Sequence, residues 1–116
     1  MSGLPGAEHA IVDDRKITDY LLSDSHPAGR SKAAFFRRFG FRPEDWRRLR
    51  AAVLEHAQTA DVVARVETPF GTKYTLDGPL SAADGRHPRL RAVWFVATGT
   101  VSPVLVTAFP APGERA

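Results

Sequence analysis

The sequence contains no cysteine. That excludes a disulfide scaffold and thiolate chemistry, and it removes most structural zinc schemes. Long hydrophobic runs are missing too: nothing approaches the roughly 18 apolar residues that span a bilayer. The opening MSGLPGAEHAIVDDRK has no charged head followed by an apolar block. The expectation is therefore a soluble, cytoplasmic protein with no membrane association. The histidines, His9, His26, His56 and His87, include no pair at a metal-ligand spacing such as His-x-x-x-His, and a helix cap explains Asp13-Asp14, so no metal is expected. There is no nucleophile elbow, no Gly-x-x-x-x-Gly-Lys phosphate loop and no dinucleotide fingerprint. Most nucleotide-cofactor enzymes are thereby excluded, and no cofactor is expected.

What is present is polarised charge. Residues 30–50 carry Arg30, Lys32, Arg37, Arg38, Arg42, Arg47, Arg48 and Arg50 against Glu44 and Asp45, a net +6. Residues 1–29 carry Arg15 and Lys16 against Glu8, Asp13, Asp14, Asp19 and Asp24, a net −3. A concentrated cationic surface suits a phosphodiester or an acidic protein partner, although solvated helix faces also carry arginine.

With 116 residues, 43% of them apolar, the chain has material for a single core. We read one domain, 1–116: a partly flexible arm over 1–14, a helical part over 15–59, an antiparallel sheet over 61–110 and a frayed tail over 111–116. Ile17, Tyr20 and Leu21 stand at helical spacing after an Asp14 cap. Pro27 and Gly29 punctuate the chain before a second helix from about Ser31 to Phe39, which Gly40 stops while Phe41 folds back on the apolar face. Pro43 suits a first helical position, and Trp46, Leu49, Val53, Leu54 and Ala57 mark an amphipathic third helix. After Ala60 the period changes to two. DVVARVET, TKYTLDG, RLRAVWFVAT and VLVTAFP read as strands. The fold class is α+β, with two or three N-terminal helices packed on a four-stranded antiparallel sheet.

His26, Arg30, Ser31 and Lys32 gather at a helix start, where free amides attract anions and a first-turn lysine opposes the helix dipole. The stretch fits a phosphate site, and it also fits an ordinary turn. Thr107 is a polar residue among apolar strand neighbours; alternation puts it on one face with Leu105 and Phe109, and a β-branched strand former accounts for it equally. Trp94 can stack on a base or fill the core. Arg89 and Arg91 share one face of their strand and make a phosphate groove if no helix covers that face.

The succession KITDYLL, HPAGRSKAAFF, FGF followed by a tryptophan and a leucine, PFGTKYTLDGPLSAADGR, VWFV and LVTAFP resembles a bacterial family, domain of unknown function 6883. The likeness runs from about Leu4 to Pro110, with His-Pro-x-Gly-x-x-Lys-Ala its most specific block. Domains of that family occur alone, often beside a small partner gene, and as modules of phage-related and polymorphic-toxin proteins. A wider similarity is to the barnase, EndoU, colicin and RelE group of ribonuclease toxins, which place helices before a four-stranded antiparallel sheet and act on RNA without metal. LVTAFP resembles the Thr-Ala-Tyr-Pro signature of their last strand; Phe109 replaces the tyrosine, which removes a phenol there and leaves Thr107.

The resemblance implies a metal-independent ribonuclease-like toxin domain that cleaves RNA by 2′-hydroxyl attack and is restrained by a small cognate antidote or immunity protein. His26, Lys32 and Thr107 match the family's histidine, lysine and late threonine and would be catalytic. Arg30, Arg89, Arg91 and Trp94 would bind substrate. Such cleavage needs a base, a cation to steady the phosphorane and an acid for the leaving 5′-oxygen; His87 stands near the arginine strand as a candidate acid. The alternative is a non-catalytic basic module that docks an acidic partner protein or nucleic acid.

Overall fold

A computed structural model describes residues 3–23 and 30–112, the side chains of residues 30 and 31 excepted. Strands β1 (Asp61–Thr68), β2 (Gly71–Pro79), β3 (Arg89–Ala97) and β4 (Val104–Pro110) form one antiparallel meander in the order β1-β2-β3-β4. Helix α1 (Asp14–Lys16) continues as a π-helical turn over Ile17–Leu21. It is followed by α2 (Arg30–Arg38) and by α3 (Trp46–Thr59), which a 3-10 turn over Pro43–Asp45 introduces. The α+β class expected from the sequence is the one observed.

Period-two alternation decides which face of the sheet takes the helices. Leu90, Ala92 and Trp94 of β3 have no exposed surface, and they pair with Gly78, Leu76 and Tyr74 of β2, all buried. The intervening residues Asp77, Arg91, Val93 and Phe95 remain partly exposed on the other face. From the helical layer, α3 turns Leu49, Ala52, Val53, His56 and Ala57 inward. Gly78 permits the close approach of its C-terminal end, because a Cβ there would lie 2.8 Å from the Cβ of Ala60.

Helix α2 contributes aromatic bulk. Phe35, Phe36, Phe39 and Phe41 are all buried, with ring centroids 5.2 Å apart for Phe35–Phe36 and 5.1 Å for Phe35–Phe39. Each such burial contributes about 1.5–3 kcal/mol. The helix stops as FGF suggests: Gly40 takes φ 94°, the amide of Phe41 donates to Phe36 O (3.0 Å) and that of Gly40 to Arg37 O (3.0 Å). Those two bonds satisfy carbonyls that the helix end would otherwise orphan, and the Phe36 and Phe41 rings meet at 6.1 Å to close the motif.

Two local readings need correction. The cap of α1 is Asp13, whose Oδ1 accepts from the amide of Arg15 at 2.9 Å, and not Asp14. In β4, simple alternation fails: Leu105 pairs with Trp94 but Thr107 pairs with Val93, leaving Val106 as an extra residue between them. Across this bulge the buried side passes from Leu105 to Ala108, so Thr107 does not share the face of Leu105. Within the segment read as an arm, Leu4 and Val12 lie in the core. The amide of Ile11 donates to Pro103 O (2.7 Å), and Ile11 O accepts from Leu105 (3.1 Å). That parallel bridge covers part of the β4 edge, which would otherwise be open to pairing with another chain.

Candidate active site

Tyr20 is the centre of the candidate site. It lies in the π-helical turn, half-buried, and its Oη stands 3.4 Å from Thr107 Oγ1, a contact between residues 87 apart in the chain in which either oxygen can donate. Two ammonium groups approach its ring: Lys16 Nζ from α1 and Lys32 Nζ from α2, each 5.2 Å from the centroid. Lys32 and Thr107, two residues singled out in the sequence, therefore meet around a third that was read only as a helix residue. Both backbone irregularities that frame them matter here. The π turn sets the angle at which Tyr20 leaves the helix, and the bulge at Val106 re-aims Thr107 at the sheet edge; such departures from regular geometry concentrate at functional sites.

The electrostatics follow from this packing. The hydrogen bond with Thr107 is the largest influence on the Tyr20 phenol and lowers its pKa below the ordinary value, burial opposes it, and the hydrogen bond and charge of Lys32 with the charge of Lys16 lower it further. A shallow cavity lined by Asp13, Arg15, Lys16, Asp19 and Tyr20 opens beside the ring. The first-turn Lys32 thus has an aromatic face beneath it, a contact worth about 0.5–1 kcal/mol at an exposed site.

The other candidates are placed as follows. His26 lies outside the described residues, on the 24–29 segment that leads into α2. Arg30 opens α2. Arg91 makes two hydrogen bonds to Asp77, Nε to Oδ1 and Nη2 to Oδ2, both at 2.6 Å, and this pairing holds the Asp77 carboxyl below its usual range. Arg89 is exposed at the start of the same strand. Trp94 is the core residue of its two readings: it has no exposed surface, so stacking on a base is not open to its ring. His87 is exposed on the loop before β3. That loop docks on the far end of α2, where the amide of Asp84 donates to Phe39 O (3.2 Å) and Arg86 donates to Arg38 O (2.8 Å). About 9 Å of helix separates this end from Lys32.

A second cavity lies at the α2–α3 corner, lined by Arg37, Gly40, Phe41, Arg42, Pro43 and Glu44. With exposed Arg38, Arg47 and Arg48 nearby in the chain, it continues the basic segment across one end of the helical layer. Sequence reasoning also passed over His56. It is 1% exposed, its Nε2 lies 2.9 Å from Leu90 O, and burial is the main influence that lowers its pKa, against the raising effects of the Leu90 and Gly78 backbone and the Asp77 charge. Among the described residues no group of three or more His, Asp or Glu side chains is gathered as a metal site would require, and no helix is long and apolar enough to cross a membrane.

The fold has a solved counterpart. One chain of a contact-dependent growth inhibition toxin–immunity protein complex from Klebsiella pneumoniae 342 superposes with a TM-score of 0.69 over 93% of this chain and 98% of that one, at 18% identity. At that identity the likeness shows a shared fold. No curated protein matches the sequence. The family model described as domain of unknown function (DUF6883) matches residues 3–112, and the chain belongs to that family.

Proposed function

We propose that this domain is a metal-independent ribonuclease toxin that cleaves RNA by attack of the 2′-hydroxyl on the adjacent phosphorus, and that a small cognate immunity protein restrains it. The observation that carries this reading is the meeting of Lys32 and Thr107 at one half-buried tyrosine, Tyr20, on a surface that also bears a second cation, Lys16. The shared fold with a chain of a toxin–immunity complex supports a toxin-like or partner-binding role. In this scheme His26 takes the 2′-hydroxyl proton, for which an imidazole with an ordinary pKa of about 6.5 is suited. Lys32 steadies the charge on the phosphorane, and Thr107 holds a phosphate oxygen. Arg30 and Arg89 extend the contact to neighbouring phosphates, as does the Arg37–Arg42 corner, since phosphate contacts position an RNA without reading its sequence.

Induced expression in a bacterial host without any partner tests the reading. Wild type is expected to arrest growth and to deplete intact RNA. Thr107→Val, which keeps the strand shape and loses the hydroxyl, should do neither. Equal growth of both strains at equal soluble protein would sink the proposal and favour a basic module that docks its partner without catalysis.

A further inference from the structure

A ribonuclease of the kind proposed needs an acid for the leaving 5′-oxygen, and His87, the sequence candidate, sits on a loop docked at the opposite end of α2 from Lys32. The hydroxyl that does stand with Lys32 and Thr107 is that of Tyr20. We propose that Tyr20 is the general acid of this site, giving its phenolic proton to the 5′-oxygen as the P–O5′ bond breaks; the assignment rests on the ribonuclease reading above.

The step balances. The O2′–P bond forms while the base of the proposed scheme takes the O2′ proton, the P–O5′ bond breaks while Tyr20 gives its proton to O5′, and the products are a 2′,3′-cyclic phosphate and a 5′-hydroxyl. Tyr20 is left as a phenolate until it regains a proton from solvent. Three neighbours suit that role. Lys16 and Lys32 place positive charge at the ring from two different helices, so the anion forms beside two cations and not in isolation. Thr107 Oγ1 stands beside the phenol oxygen on the sheet side and fixes its position. The lowered pKa of the phenol accords with this arrangement. Of the remaining charged groups around the ring, Arg15 adds to the positive field, and Asp13 and Asp19 oppose it from the cavity wall.

A phenol that only ties the π turn to β4 would also be lost in a variant, so the test must separate proton donation from tethering. Wild type and Tyr20→Phe are compared on two RNA dinucleotides, one with the natural 5′-oxygen leaving group and one with sulfur in that bridging position, which departs without protonation. Tyr20→Phe keeps the ring over which both lysines sit. The expected result is a loss of about 100-fold or more on the oxygen substrate with near wild-type cleavage of the sulfur substrate. Equal losses on both, or none on either, overturn the assignment while leaving the ribonuclease reading in place. If wild type cleaves neither substrate, that reading falls and takes this one with it. Should Tyr20→Phe fail to fold, wild-type chain carrying 3-fluorotyrosine supplies the answer: a more acidic phenol must move the alkaline limb of the pH–rate profile to lower pH, and an unmoved limb counts against Tyr20.

Discussion

His56 shows what a single buried residue does to the pH response of the whole protein. It is sealed between α3 and β3, and burial holds its pKa below the ordinary 6.5, so the folded state keeps the ring neutral. In the unfolded chain the ring protonates as pH falls through about 6.5. The unfolded state then binds more protons, and stability present above that pH is lost as pH drops toward the folded-state value, by up to about 1.4 kcal/mol per pH unit. Urea unfolding from pH 7.5 to 5.5 should show this decline in wild type and a flatter one in His56→Gln; parallel slopes would contradict it. The position was legible, since His56 lies three residues after Val53 and seven after Leu49 on the buried stripe of α3. Tyr20 was legible only in part. Its spacing from Ile17 reads as core, yet the π turn leaves it half-exposed with its hydroxyl reaching Thr107 of β4.

At the scale of elements, the punctuation of the chain governs the result. The α2 stop depends on Gly40 at φ 94°, where a Cβ would in addition come within 3.1 Å of the Asp84 amide. Gly40→Ala should therefore destabilise the domain by about 1 kcal/mol or more, read as a lower urea midpoint at unchanged slope. An unchanged midpoint would mean that the helix ends without that left-handed residue. This stop, the third helix and the strands at DVVARVET and VLVTAFP all follow from local pattern, because caps and periodicities of 3.6 and 2 are properties of neighbouring residues. The bulge at Val106 does not. A period-two pattern carries no sign of an extra residue, since only the partner strand shows that Thr107 lies opposite Val93 while Leu105 lies opposite Trp94.

For the molecule as a whole, the order of helices before strands was open to the sequence, and the meeting of Tyr20 with Thr107 was not. That contact joins the first helical segment to the last strand across 87 residues. Only tertiary packing brings such residues together, so composition and spacing could nominate Lys32 and Thr107 separately without showing what joins them. The same packing leaves Arg37, Arg38, Arg42, Arg47 and Arg48 of the basic segment exposed, and under the proposed function these cations would contact an RNA backbone. The central claim is that this convergence cleaves RNA through the 2′-hydroxyl. Its most direct test is to incubate purified wild type and His26→Ala with total RNA and tRNA in excess EDTA and to determine the chemistry of any new ends. The account predicts discrete fragments with 2′,3′-cyclic phosphate and 5′-hydroxyl ends from wild type alone. Intact RNA from folded wild-type protein, or fragments ending in 3′-hydroxyl and 5′-phosphate, would contradict it.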